Sequence, residues 1–235
     1  MHIPDGYLGP QTYLTTYAAM GPLWFYAGRR VKKSLSKKLL PRLALAGAFS
    51  FVVMMFNLPV LGGSTGHAVG SALIAIIFGP WAALMAVSVA LIIQALAFGD
   101  GGITALGANC LTMAVIMPFT ASWIYRSVVG KTDVLGLRQK LAGFLAGYIS
   151  INFAAVAAGF LLGIQPMLAS ANGRPQYAPY PLSVAVPAMA GGHLLFFGIV
   201  EGLVTALVLT YLARSRVLEW PRLTVAPLSP QRNER

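Results

Sequence analysis

Gly62-Gly63-Ser64-Thr65-Gly66-His67-Ala68-Val69-Gly70-Ser71-Ala72-Leu73-Ile74-Ala75-Ile76-Ile77-Phe78 is the stretch on which the organisation of this chain turns. It is the weakest of seven apolar windows, and whether it crosses a membrane sets the side of every residue after it. Its best helical part, 67–78, would rise only about 18 Å at 1.5 Å per residue, short of a hydrocarbon core of roughly 30 Å. The other windows are 8–28, 43–61, 81–98, 103–124, 141–164 and 186–212. With all seven crossing and the N-terminus outside, 16 of the 17 basic residues lie on the cytoplasmic side and Arg174 alone lies outside. If 62–78 does not cross, the basic residues split 8 against 9. Because Lys and Arg concentrate on the cytoplasmic side of membrane proteins, the asymmetry predicts a crossing. The expected fold class is therefore all-α, a polytopic membrane helical bundle of seven transmembrane helices with the N-terminus outside. Pro80 is expected to turn the chain inside, between the third and fourth spans.

Composition agrees with a membrane solvent. Of 235 residues, 57% are hydrophobic and 10% charged, and the mean hydropathy is +0.72, too apolar for a soluble domain of this length. The net charge of +11 then reads as a topology signal and gives no reason to expect nucleic acid. Without a long polar stretch, one integral-membrane domain over 1–235 is expected, with 1–28 as an N-terminal chelating segment and first helix and 213–235 as a basic cytoplasmic tail. The single Cys110 excludes a disulfide framework or a thiolate cluster from this chain.

Working back to the start, Met1-His2-Ile3-Pro4-Asp5-Gly6 puts a free amine and an imidazole beside a membrane segment. The Met1 amine, the His2 amide once deprotonated and the His2 imidazole are three nitrogens that close two small chelate rings. Such a donor set suits divalent nickel or copper and, more loosely, cobalt. A solvated chain end is the competing reading. The expected topology gathers all three histidines at one end of the bundle. His67, after a Gly-Ser-Thr-Gly loop, is the chosen fourth donor, with an interfacial or capping histidine as its alternative. Asn109 either holds a ligating histidine by its free ring nitrogen or caps a helix. Asp5 and Asp100 are candidates for supporting the site or ordinary turn residues. His193 and Glu201, eight residues apart, share a helix face and point inward, as a pair of helix–helix hydrogen-bonding groups or as further ligands.

Missing motifs narrow the chemistry. Gly130-Lys131-Thr132 imitates the end of a P-loop, but Tyr125 stands where the first glycine belongs. No nucleophile elbow, His-Glu-x-x-His or carboxylate pair offers an enzyme site. Ala44-x-x-x-Ala48 and Gly143-x-x-x-Gly147 allow close helix contact, within this chain or with a partner.

The opening Met1 to Leu8, the 62–67 loop, Phe78-Gly79-Pro80-Trp81, the run 98–109 and the run 193–205 with Glu201-Gly202 inside it together resemble the CbiM/NikM family. These are the cobalt- or nickel-capturing membrane subunits of energy-coupling-factor ABC transporters, and the resemblance covers almost the whole chain. It implies metal held by Met1, His2 and His67, and Co2+ or Ni2+ as transported substrate; Asn109, Asp5, Asp100, His193 and Glu201 remain the candidate supporting residues read from the sequence itself. It also implies a transmembrane coupling subunit, two cytosolic ATPase subunits and a small accessory membrane subunit as partners, in a bacterial or archaeal inner membrane. The short tail, without the extra membrane portion of some nickel-type members, leans the label toward cobalt. Two rivals stand beside this reading. A self-sufficient secondary divalent-metal transporter coupled to protons would titrate Glu201, and an intramembrane metallohydrolase would need an open coordination position.

Overall fold

A computed structural model describes residues 1–60, 64–130 and 136–215. Among the described residues seven helices follow in chain order: α1 (Pro10–Ser34), α2 (Leu40–Met54), α3 (Ser71–Phe78), α4 (Pro80–Phe98), α5 (Leu106–Val129), α6 (Leu137–Leu168) and α7 (Leu182–Arg214). Two short hairpins interrupt them. Leu58–Val60 pairs antiparallel with Ser64–Gly66, and Ser170–Ala171 with Arg174–Pro175. In the second, Asn172 and Gly173 both have positive φ, the pairing that lets a two-residue turn match the twist of its strands.

The count of seven transmembrane helices is corrected by this geometry. Among the described residues only α4, α5, α6 and α7 are long and apolar enough to cross a membrane. The helix α1 has 25 residues but carries Gln11, Thr12, Thr15 and Thr16 in its first half and ends on Arg29, Arg30, Lys32 and Lys33. With 15 residues, α2 rises only about 22 Å, and the eight residues of α3 only about 12 Å. The 62–78 window fails for a plain reason: Ser64–Gly66 forms a hairpin strand and 67–70 runs without helix before α3 begins at Ser71. Sidedness drawn from seven crossings, the outside N-terminus included, goes with that count. Gly62, Gly63, Lys131, Thr132 and the basic residues from Arg216 onward lie outside the described residues.

Close packing rests on small residues. Gly143 and Gly147 of α6 face α7, and a methyl added at Gly147 would sit 2.8 Å from the Glu201 carbonyl oxygen and 3.0 Å from Gly202 Cα. Gly107 of α5 does the same for α1, where a methyl would meet the Tyr17 backbone nitrogen at 2.8 Å. The buried stripe Thr12, Thr16 and Met20 of α1 recurs every four residues, one helix face; Thr16 lies against Gly107 of α5 and Thr12 accepts from Gln165 of α6. Three helices contain a widened π turn: Gln94–Phe98 in α4, Leu111–Ile116 in α5 and His193–Phe197 in α7. Such turns re-aim side chains and often mark functional positions. Here Gln94 and His193 each open one.

Candidate metal centre

The first nine residues enter the protein instead of hanging from it. Met1, Ile3, Leu8 and His2 are buried, His2 with only 3% of its surface accessible. An extended peptide cannot be buried unless its amides are paired, and the pairing is explicit. Asn109 Oδ1 accepts from the Ile3 amide at 2.9 Å and Asn109 Nδ2 donates to the Ile3 carbonyl at 3.1 Å. The Gly102 amide donates to the same carbonyl at 2.9 Å, and Ser64 Oγ donates to the His2 carbonyl at 3.0 Å. Gln165 of α6 accepts the Gly9 amide at 2.9 Å, and the Ala178 amide donates to Tyr7 O at 3.0 Å. Asp5 turns outward and receives the Ile103 amide at 3.0 Å, the Thr104 amide at 2.8 Å and the Thr104 hydroxyl. Gly102 is obligatory at this crossing, since a methyl there would lie 2.4 Å from the Asp5 backbone nitrogen.

Asn109 thus grips the backbone at Ile3 and hydrogen-bonds neither histidine ring, unlike the role expected of it. Replacing it by Leu keeps the volume and removes both bonds. Asn109→Leu should weaken metal binding about tenfold and speed hydrogen exchange at the Ile3 amide, in line with the 10- to 100-fold effects of groups that orient ligands. Titration calorimetry and exchange mass spectrometry would measure both, and unchanged values would remove Asn109 from the site.

At the inner end of this segment the Met1 amine donates to the Thr65 carbonyl oxygen, and the His2 ring stacks on the His67 ring with centroids 4.5 Å apart and planes inclined by 25°. His2 Nε2 pairs with Gln94 Oε1 at 3.2 Å, and Gln94 Nε2 reaches Phe51 O at 3.3 Å. His67 Nδ1 pairs with the Ala68 carbonyl at 3.0 Å. What remains is His2 Nδ1 and His67 Nε2, both buried without a hydrogen-bond partner. Asp100 Oδ1 lies 3.3 Å from His2 Nδ1 without hydrogen-bond geometry, so that nitrogen has a charged neighbour and a free lone pair. Asn57 Nδ2 holds the other oxygen of Asp100 at 3.2 Å.

Glu201 has a different task from ligation. Its Oε2 accepts the Val69 amide at 2.7 Å, and its two oxygens accept the Gly70 amide at 3.1 and 3.0 Å. A fully buried carboxylate on α7 thereby caps the start of α3 and fixes the loop that carries His67. Gly70 has φ +73, the left-handed conformation natural to glycine. Beside it, Ser50 Oγ donates to Val69 O at 2.6 Å. His193 lies eleven residues into α7, not at its opening, and its Nδ1 donates to Met189 O at 2.7 Å. Sequence reasoning passed over Gln94, Asn57, Ser64 and Thr65. Gln94 carried a usable signal, as a lone amide in an apolar membrane-length run.

Burial decides the charge state here. It holds the Met1 amine well below its usual 8.0, with Asp100 pulling the other way. His2 is pushed down to about 3, first by burial, then by the adjacent amine, with Gln94 opposing. Burial, the amine, His2 and His193 all hold His67 well below 6.5. The folded chain therefore binds fewer protons on these nitrogens than the unfolded one, and stability rises with pH through that window. The stability is complete above the ordinary values of 8.0 and 6.5 and is lost as pH falls toward about 3 for His2. The melting temperature of the metal-free protein should climb from pH 5 to 7.5, with a flatter slope in His2→Asn; a wild-type slope of opposite sign would contradict the buried neutral state.

Among the described residues, no three His, Cys, Asp or Glu side chains cluster as a conventional metal site. Beside the two unpartnered ring nitrogens, Met1 and His2 carry a backbone amine and a backbone amide. Residues 2–218 match the family described as the cobalt uptake substrate-specific transmembrane region, CbiM. A fused nickel transport protein NikMN of Rhodobacter capsulatus is 49% identical over 237 residues, taking in 100% of this chain and 68% of its own length. A putative metal transport protein of Methanocaldococcus jannaschii is 46% identical over 92% of this chain and 93% of its own. The crystal structure of a truncated transition metal transporter superposes with a TM-score of 0.87 at 49% identity, covering 92% of this chain and 99% of that one.

Proposed function

The chain belongs to the CbiM family, and from that premise we propose that it captures Ni2+ or Co2+ with four nitrogens: the Met1 amine, the His2 amide, His2 Nδ1 and His67 Nε2. The family is a transport family and not an enzyme family, and the chain is a metal-capture component of the cobalt and nickel type, multi-pass in the inner membrane. The observation carrying the site assignment is a coincidence of atoms. Amine and amide close a five-membered ring on the ion, and the amide closes a six-membered ring only with Nδ1 of His2, not with Nε2. Nδ1 is the ring nitrogen left without a partner, while Nε2 is tied to Gln94. On His67 the reverse holds, with Nδ1 tied to Ala68 and Nε2 left open. A second-sphere hydrogen bond on the opposite ring nitrogen is how proteins fix a ligating tautomer.

Chemically, the buried neutral amine needs no proton removed before it binds. The His2 amide must lose one, and the half-buried Asp100 carboxylate beside His2 Nδ1 favours the approach of a dication. Nitrogen-only square-planar sets suit nickel, and nickel stands above cobalt in intrinsic affinity. Nickel is therefore the favoured cargo, in keeping with the name of the Rhodobacter relative and against the lean drawn from tail length. This chain spans about two thirds of that relative's length. Energy-coupling-factor partners follow from the family. In the finer reading a transmembrane coupling subunit and two cytosolic ATPases, with a small accessory membrane subunit, drive release. The proton-coupled rival would have to protonate Glu201 while its oxygens accept the Val69 and Gly70 amides, which would weaken the cap on the His67 loop. Elemental analysis after equilibrium dialysis should find one ion per purified chain, with X-ray absorption reporting nitrogen ligands alone. Sulfur or several oxygens on the metal would reject the assignment.

A further inference from the structure

His193 keeps a nitrogen that the resting site does not use. It is fully buried on the membrane-length helix α7, opens that helix's widened turn, and its Nε2 has no hydrogen-bond partner. The Met189 carbonyl can only accept, so Nδ1 must carry the hydrogen and Nε2 must present a lone pair. This is the same preparation found on His67. One side chain packs against both segments: the Phe197 ring lies 5.2 Å from that of His193. A methyl at Gly66, next to His67, would fall 2.0 Å from Phe197 Cε2. His193 is also within electrostatic reach of both His67 and the Met1 amine. A buried imidazole with an open lone pair is unlike a packing residue, because buried polar atoms are ordinarily satisfied.

We propose that His193 Nε2 is a second ligand position for the captured dication, which passes to it from the terminal chelate while His67 stays bound in both positions. This rests on the four-nitrogen capture site and adds a step to it. As the ion moves, the His2 amide recovers one proton from solvent and the Met1 amine returns to its bond with Thr65. The transit position has two imidazoles in place of a chelate, so it holds the ion more weakly, as a release intermediate must.

The test uses Co2+ as probe on the purified full-length chain, with binding followed by calorimetry and by the visible absorption of the ion. His2→Gln removes the chelate while leaving a second residue bulky enough to preserve Met1. That variant should retain one Co2+ site at least 100-fold weaker than wild type, and adding His193→Phe or His193→Gln should abolish it. In the otherwise wild-type chain, His193→Gln should leave one ion per chain and a Kd within threefold, with an unchanged melting curve showing that it folds. A residual site indifferent to position 193, or no residual site, overturns the transfer alone. Loss of binding in the His193→Gln single variant also overturns it, by placing His193 in the resting site. A His2→Gln chain as tight as wild type would instead reject the terminal chelate and the transfer with it.

Discussion

Acetylating the Met1 amine is expected to weaken Ni2+ and Co2+ binding by more than about a hundredfold, the upper end of what merely orienting residues contribute to metal affinity. The reason is electronic. Acylation delocalises the amine lone pair into a carbonyl, so the five-membered ring cannot close and the His2 amide loses the anchor that makes its ionisation favourable. His2→Gln and His67→Gln should cost as much, since each removes a donor while keeping a polar group of similar reach. A single-residue extension is the wrong control. Any residue placed before Met1 or between Met1 and His2 puts the histidine third, where an amine, two amides and Nδ1 form a four-nitrogen chelate of their own. An extension of four or more residues avoids this. Retention of wild-type stoichiometry and affinity in the acetylated protein, measured by calorimetry, would end the case for a terminal chelate. A melting curve would show that the variants still fold.

Replacing Glu201 should have the second largest effect and should act on the same site from another helix. Its carboxylate is the acceptor for the buried amides of Val69 and Gly70, and leaving a buried donor unsatisfied costs about 1–3 kcal/mol per group. Glu201→Ala is therefore expected to lower the melting temperature markedly and to raise the metal off-rate at least tenfold, because the loop it releases carries His67 two residues before Val69. Glu201→Gln should be intermediate: one oxygen still accepts, while the new amide group opposes a backbone N–H. A metal off-rate identical to wild type in Glu201→Ala, with the protein folded, would show that α7 does not hold the His67 loop in register. The prediction also separates the proton-coupled alternative, in which Glu201→Gln would abolish transport while metal affinity stayed intact.

Local chemistry was enough to point to Met1, His2 and His67. The donor set is covalently built into two adjacent residues at the chain start, and a glycine-rich run before a histidine is a local instruction to turn. Other assignments depended on distances along the chain that no window can contain. Asn109 grips Ile3 across 106 residues, and Glu201 caps Gly70 across 131. In each case the partner is a backbone group, identical at every position and therefore silent in the sequence. The same limit explains the span count. Hydropathy reports that 62–78 is apolar, but not that most of 64–78 is buried within the protein in place of lipid. Buried backbone there can leave the helix because Glu201, Ser50 and the facing strand satisfy it, as non-helical backbone at such depth requires.

The sequence by itself determined the solvent and the helical class and nominated the nitrogen donors, since these follow from hydropathy and from bonds within adjacent residues. Only the tertiary structure decided which ring nitrogens stay free, which helices are long enough to cross, and which side chains hold the terminus in place. Those outcomes depend on desolvation and on hydrogen bonds between remote segments, which exist only after the chain has packed.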